Sequence, residues 1–379
     1  MNHFLKYTLA TVTGIIIATM LLFIFLLASL SAVMSSGNKA VTIEENSILV
    51  LKAGIPVPER TSTNPLAGFD PVNLTFTPAP GLNDILKNIQ KAASDKNIKG
   101  ILVENGLMTS GWGTTEEIRN ALKTFRSSGK FVISYTDYIL NQEGYYLSTA
   151  CDHIFANPRA MLEFKGLSGE VMFYRNALDK LGIEVQVIRH GKFKGAVEPF
   201  ILDALSKENR EQIKDYVGSI WSHVVSGISE VRLIPENQLN LIADKLIVTD
   251  IEEAYRNKLV DGLIYRDELI DTLRHLSGLG QNRKPRLVTM TKYSRVPDHH
   301  RKEDNKNRIA VIYAAGTIVM GDGNETNIGA GRYAGVIREA RLDSNIKAIV
   351  LRVNSPGGNA IASELIWREL DLATRSKPV

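Results

Sequence analysis

Cysteine is almost missing. Cys151 is the single one in 379 residues, which excludes an intrachain disulfide framework and any Cys-rich zinc or iron–sulfur centre. Histidine is sparse, with seven scattered copies, so no metal site is expected. A surplus of one charge is lacking too. The 45 basic and 41 acidic residues leave a net charge of +4, too mild to point to nucleic acid. No P-loop, zincin helix or nucleophile elbow occurs, and Gly321-Asp322-Gly323 lacks the third glycine of a dinucleotide fingerprint. Hydrophobic residues at 44% and charged residues at 23% match a globular chain, which removes wholesale disorder and collagen-like or coiled-coil architecture. At ~100–200 residues per domain, the length gives two to three units.

Long apolar runs are also lacking, with one exception. Residues 7–36 hold no charge and no proline, and the centre from Gly14 to Leu27 is almost wholly apolar. A helix needs ~20 such residues to cross the hydrocarbon core. Lys6 and the amino terminus lie on the short side, which places the N-terminus in the cytoplasm and the rest of the chain outside, periplasmic in a bacterium with two membranes. A cleaved signal peptide is the rival, with Ala28, Ser29, Ser31 and Ala32 as small residues near a cleavage site. Secretory apolar regions are shorter, ~7–15 residues, so residues 1–36 are read as one uncleaved transmembrane anchor.

Behind the anchor, strand-like and helix-like segments alternate. Ser47-Ile48-Leu49-Val50-Leu51, residues 98–103 and Phe131-Val132-Ile133-Ser134-Tyr135 read as strands. Leu82, Ile85, Leu86, Ile89 and Ala92 recur at helical spacing, as do Ile118, Leu122 and Phe125. Pro56, Pro58, Pro65, Pro71, Pro78 and Pro80 mark an extended loop between them. This alternation predicts an α/β protein with largely parallel strands.

An internal repeat stands out. Asp95-Lys96-Asn97-Ile98-Lys99-Gly100-Ile101 matches Asp343-Ser344-Asn345-Ile346-Lys347-Ala348-Ile349, about 248 residues later. Ser128-Gly129-Lys130-Phe131-Val132 matches Arg375-Ser376-Lys377-Pro378-Val379 at nearly the same offset, and Ile48 to Gly54 corresponds to Ile309 to Gly316. The expected organisation is a first repeat over 47–281, a basic solvated linker over 282–307, and the start of a second repeat over 308–379. The second copy reaches only the point that the first reaches at Val132. A chain ending inside a buried strand leaves its sheet ladder unpaired, so a longer reading frame is expected downstream.

Two segments could carry chemistry. Asn354-Ser355-Pro356-Gly357-Gly358 follows the strand-like run at 348–353 and precedes a helical pattern at 361–373. Glycines at such a turn expose backbone N–H groups beside a helix N-terminus, where they can hold an oxyanion; an ordinary tight turn reads the same way. The matching stretch of the first copy, Asn105 to Gly111, lacks the Pro-Gly-Gly bend. The second segment, Arg189-His190-Gly191-Lys192-Phe193-Lys194-Gly195-Ala196-Val197-Glu198-Pro199-Phe200, follows a strand-like run at 185–188. Phe193, Gly195 and Ala196 would allow the Lys194 amine to be buried. Burial favours a neutral amine, which can act as base to a serine hydroxyl. The alternative is that Lys192 and Lys194 are simply solvated, or that Glu198 neutralises one of them. His299-His300 reads as solvated, and Asp322 and Glu325 as turn residues.

Together the anchor, the two tandem copies, G-K-F-K-G-A-V-E-P-F in the first, V-N-S-P-G-G in the second and Tyr145-Tyr146-Leu147-Ser148-Thr149-Ala150-Cys151-Asp152 resemble the bacterial signal peptide peptidase A family in its long, duplicated form. The resemblance implies tandem Clp protease/crotonase-like (ββα superhelix) repeats, the second incomplete here. It implies a Ser–Lys dyad whose lysine is Lys194 and whose serine lies beyond Val379, so Ser355 is not promoted to nucleophile. It implies that Gly357 and Gly358 border the oxyanion hole and the substrate groove. The implied substrates are hydrophobic signal peptides released into the bacterial inner membrane. Further implications are a homo-oligomer, expected as a tetramer, and no metal, nucleotide or organic cofactor. Two rivals differ in class. One is a crotonase-like acyl-CoA enzyme, disfavoured by the anchor and by the lack of a basic CoA pocket. The other is a non-catalytic peptide-binding scaffold.

Overall fold

In the computed structural model, all residues are described except 1, 37–40, 65–66, 71–74, 77–78, 189 and 299–305. The first element is a helix over Asn2–Ser36. Its stretch His3–Phe25 has a mean hydropathy of 2.3 and is unburied. Threonines interrupt that apolar surface, but Thr8, Thr11, Thr13 and Thr19 donate their hydroxyls to the carbonyls of Phe4, Tyr7, Leu9 and Ile15. Their polar groups are thus met within the helix.

The chain folds as two compact units. One comprises residues 44–58 and 85–289, the other residues 1–43, 59–84 and 290–379. The larger unit is built on a six-stranded, all-parallel sheet. Its order is Arg286–Thr289, Ser47–Lys52, Ile98–Asn105, Phe131–Thr136, His153–Ala156 and Gly262–Leu263. Parallel strands covered on both faces need near-continuous apolar runs, and Ile48, Leu49, Ile101, Leu102, Val132 and Ile133 are fully buried. One face packs Ile48, Leu102 and Ile133 against Leu269 and Leu273 of the Arg266–Leu276 helix. A second cluster joins Tyr145, Tyr146, Ile154 and Phe164 to Val224, Val225 and Ile228 of the Lys207–Arg232 helix.

Two expectations change here. Residues 185–188 form no strand, and Ile188 is fully exposed; alternation alone makes no strand where no neighbour completes the ladder. Part of the segment 282–307 is also not a solvated connector. Arg286–Thr289 pairs with Ser47–Lys52 as the sheet edge, and Val288, Met290 and Tyr293 are buried. The surrounding lysines and arginines masked that short apolar run. His299-His300 lies outside the described residues.

The smaller unit carries a parallel pair, Arg308–Ala315 with Ile346–Asn354. Ile312, Ile349, Ile337 and Ile366 form its core, the last two from the helices Ala330–Leu342 and Ala360–Thr374. A short parallel ladder joins Thr317–Val319 to Asn327–Gly329.

The two halves share several measurements. The helices Leu82–Ser94 and Ala330–Leu342 both have 13 residues, and Trp112–Arg126 and Ala360–Thr374 both have 15. Ser47 pairs with Ile98 and Ile48 with Gly100; Arg308 pairs with Ile346 and Ile309 with Ala348, so both ladders skip one residue at the same place. The Lys130 amine donates to the carbonyls of Ala92 and Asp95, and the Lys377 amine to those of Ala340 and Asp343.

Candidate active site

The Pro-Gly-Gly bend lies in the smaller unit, where the Ile346–Asn354 strand gives way to the Ala360–Thr374 helix. Gly357 has φ of +107° and Gly358 of +156°. A Cβ on Gly358 would lie 2.2 Å from the carbonyl oxygen of Ile318. That contact, together with the positive φ, makes glycine obligatory there. Ile318 donates its N–H to the Gly357 carbonyl at 2.9 Å and accepts from the Asn359 N–H at 3.0 Å, which makes Ile318–Gly358 a parallel bridge. In such a bridge the flanking residues bond the neighbour, so the N–H and C=O of Gly358 itself face the other side. Gly358 is exposed. Asn359 caps the helix by accepting from the Ala362 N–H at 3.0 Å, and the positive end of a 15-residue helix dipole sits beside the bend.

The Ser355 hydroxyl oxygen accepts from the Gly357 N–H at 3.1 Å. Ser355 therefore braces the turn. Of the two glycines expected to border an oxyanion hole, Gly357 spends its amide inside the bend and Gly358 keeps its own turned outward.

The corresponding turn of the larger unit, between Ile98–Asn105 and Trp112–Arg126, is occupied by side chains. Asn141 Oδ1 accepts from the Met108 N–H at 3.2 Å, and its Nδ2 donates to the Met108 carbonyl at 2.7 Å. Glu143 Oε1 accepts from the Ser110 N–H at 3.1 Å and from the Thr115 hydroxyl at 2.6 Å. Gln142 Oε1 accepts from the N–H groups of Lys165 and Gly166 at 2.8 and 3.0 Å, and its Nε2 donates to the Gly166 carbonyl at 2.9 Å. The sequence carries a signal for this arrangement in the three adjacent amide and carboxylate side chains of Asn141, Gln142 and Glu143 at the start of the Gln142–Ser148 helix.

Lys194 lies on the surface of the larger unit and is exposed, as is Ala196, while Phe193 is 56% exposed. The predicted burial of the amine among these neighbours does not occur within this chain. The member of the motif that is buried is Glu198, with no exposure. Its carboxylate accepts from the Ser206 N–H at 3.0 Å, the Ser206 hydroxyl at 2.5 Å and Asn209 Nδ2 at 3.1 Å. These bonds fasten the motif to the first turn of the Lys207–Arg232 helix. A Cβ on Gly195 would meet the Asn209 amide at 2.3 Å, so this glycine permits the close approach. Tyr174 donates its N–H to the Pro199 carbonyl at 2.7 Å and stacks on Phe200. The motif is thus a surface loop with a buried acidic anchor, which carries Lys194 outward.

Other groups are chemically quiet. Cys151 is buried, and burial pushes its thiol well above the usual range. A cavity of 310 Å³ at the carboxyl ends of the central strands is lined by Lys52, Gly54, Glu104, Tyr135, Asp137 and Arg266. Its charges compensate one another, since Arg266 pairs with both Glu104 and Asp137. Burial, with hydrogen bonding to Asp137 adding to it, pushes the Tyr135 hydroxyl up to about 12. Among the described residues no cluster of three or more His, Cys, Asp or Glu could hold a metal ion.

The chain is mixed α/β with a parallel sheet and, in its smaller unit, an outward amide at a strand-to-helix bend. Residues 124–280 match the model of Peptidase family S49, and the chain carries that peptidase domain. It is 33% identical over 306 residues to Protease 4 of Haemophilus influenzae, covering 78% of this chain and 50% of that protein. It is 33% identical over 319 residues to the chloroplastic serine protease SPPA of Arabidopsis thaliana, covering 82% and 46%. It is 35% identical over 309 residues to Protease 4 of Salmonella typhi, covering 79% and 49%. The chain spans about half the length of these relatives.

Proposed function

We propose that the chain is the anchor-bearing part of a serine endopeptidase that works with a Ser–Lys dyad and degrades released signal peptides at the bacterial inner membrane. The observation that carries this reading is the bend at 354–359. It offers the outward amide of Gly358 beside a helix N-terminus, in a chain whose relatives are named as proteases.

The steps follow from acyl-transfer chemistry. A serine outside these residues, at the second-repeat position matching Gln142, loses its proton to the Lys194 amine and attacks the scissile carbonyl. The Gly358 N–H receives the developing oxyanion. The lysine returns the proton to the leaving amine, and water then releases the acyl group. An extended peptide adds to the free side of Gly358, where N–H and C=O present one rung of a strand edge. Lys194 must lose water for this role. The exposed apolar side chains around it, Ile188 and Phe193 among them, are the surface that a covering segment or a further copy of the chain would bury. A homotetramer fits that need. The two halves are two copies of one unit, and the Asn2–Ser36 helix spans the membrane once with its N-terminus in the cytoplasm.

A non-catalytic scaffold is the second reading, favoured by the exposure of Lys194. Peptide hydrolysis by full-length protein carrying Lys194→Ala or Lys192→Ala separates the two. The expected result is loss of activity in the first and retention in the second. Undiminished activity in Lys194→Ala removes the dyad.

A further inference from the structure

Residues 59–64, read from sequence as part of a proline-rich loop, are bound by side chains within the smaller unit. Glu59 is the centre of this attachment, with a side chain only 8% exposed. Its Oε2 accepts from Arg352 Nε at 2.6 Å, and its Oε1 accepts from Arg352 Nη2 at 3.3 Å and Asn354 Nδ2 at 3.2 Å. Arg60 lies over the Tyr313 ring, 5.9 Å from its centroid. Thr63 donates its N–H to Glu325 Oε1 at 3.1 Å.

Arg352 and Asn354 are alternate residues of the Ile346–Asn354 strand, so their side chains share one face. Asn354 is the last strand residue before Ser355, and its own carbonyl accepts from the Gly316 N–H at 3.0 Å. One carboxylate therefore holds the final two same-face residues ahead of the bend that presents Gly358. A two-toothed carboxylate–guanidinium contact fixes orientation as well as distance. The bend beyond it has two glycines in unusual backbone conformations, held from behind by the Ile318 bridge and the Ser355 hydroxyl. Without a fixed strand end, such a segment has freedom that an oxyanion donor cannot tolerate, because a misplacement of about 1 Å costs about 100-fold in rate.

We infer that Glu59 is a positioning residue for the Gly358 amide: by clamping Arg352 and Asn354 it fixes the direction in which the strand enters the oxyanion bend. The inference rests on the proposed role of that bend in peptide hydrolysis.

The test uses full-length protein with Glu59→Gln and, should that variant fold poorly, Arg352→Lys, which keeps the charge but loses the fork. Peptide hydrolysis is expected to fall about tenfold or more in kcat while KM moves less than about threefold, the mark of a contact that matters in the transition state. Affinity for a peptide boronate, which imitates the tetrahedral adduct, falls by the same factor. Glu59→Asp recovers part of the loss. Amide hydrogen exchange at residues 357 and 359 becomes faster in Glu59→Gln. Unchanged kcat, a change in KM alone, or unchanged exchange at the bend each overturns the inference. If the wild-type protein neither hydrolyses peptides nor binds the boronate, the peptidase reading fails; the exchange measurement still decides whether Glu59 holds the bend.

Discussion

Two turns of the molecule begin alike and end differently. In each, a parallel strand with the same skipped residue runs toward a 15-residue helix. After Asn105, the backbone groups of Met108 and Ser110 are bonded by Asn141 and Glu143. After Asn354, the bend is supported from behind by Ile318 and Ser355, and its Gly358 amide faces outward. The lesson is that two strand-to-helix turns of matching length and register can differ in whether side chains fill their backbone donors. The first turn gains stability from groups that the second leaves available for a reactant.

The largest expected effect comes from Gly358→Ala. The added Cβ would fall 2.2 Å from the Ile318 carbonyl, so the bend must shift. A loss of about 100-fold or more in kcat is expected, as for a removed oxyanion donor. Gly106→Ala in the other turn meets Gly54 Cα at 3.1 Å and should leave kcat within about threefold, because no chemistry is assigned there. Steady-state kinetics of the pair would break the comparison if both variants, or neither, lost turnover.

Next in size is Asn141→Ala. It leaves the Met108 N–H and carbonyl without their partner and removes the bond to the Gly144 N–H. A destabilisation of about 1–3 kcal/mol is expected, read from denaturant unfolding. A cost near zero would show that the first turn is not held by its side chains.

Ser355→Ala sharpens the other side. Ser355 accepts one hydrogen bond inside the bend, so about 0.5–1.5 kcal/mol of stability should be lost and hydrolysis should persist. Complete loss of acylation by a serine-directed fluorophosphonate would instead make Ser355 the nucleophile.

The smallest effect tests an ion pair of the smaller unit. Arg338 donates to Glu369 Oε1 at 3.0 and 2.6 Å, and this hydrogen bond, with Arg341 nearby, holds the Glu369 carboxyl below its usual range. Ala121 takes the equivalent place in the Trp112–Arg126 helix. A lowered folded-state value means that the ionised form stabilises the fold above the unfolded-state pKa. That contribution disappears as pH falls through the folded value. Glu369→Gln should therefore be less stable than wild type at neutral pH, and the gap should close in acid. A gap independent of pH would assign the effect to packing.

Much of this was legible from residue patterns. The apolar spacing of Leu82 to Ala92 and of Ile118 to Phe125 marks real helices, and the runs at Ile48, Ile98 and Phe131 mark real strands. These elements satisfy their hydrogen bonds locally or pair with strands of equal apolar content, so periodicity suffices. Residues 185–188 had the pattern but no partner strand, and Val288 found a partner across more than two hundred residues. Neither fact is local. The glycines of the bend were readable because few other residues fit there. The exposure of Lys194 was not, since it depends on Glu198 reaching Ser206 and Asn209. Likewise Glu59 looked like one polar residue in a loop, and only the ladder's register brings Arg352 and Asn354 to it.

The anchoring of Glu198 also has a mechanical side. Because its carboxylate is tied to the opening turn of a 26-residue helix whose far end is locked by Val224, Val225 and Ile228, the loop bearing Lys194 rides on a rigid lever about 39 Å long at 1.5 Å per residue. A small tilt at the buried end becomes a displacement of several ångströms at the Lys194 amine, so a load applied along the exposed stretch of that helix would swing this side chain through the solvent.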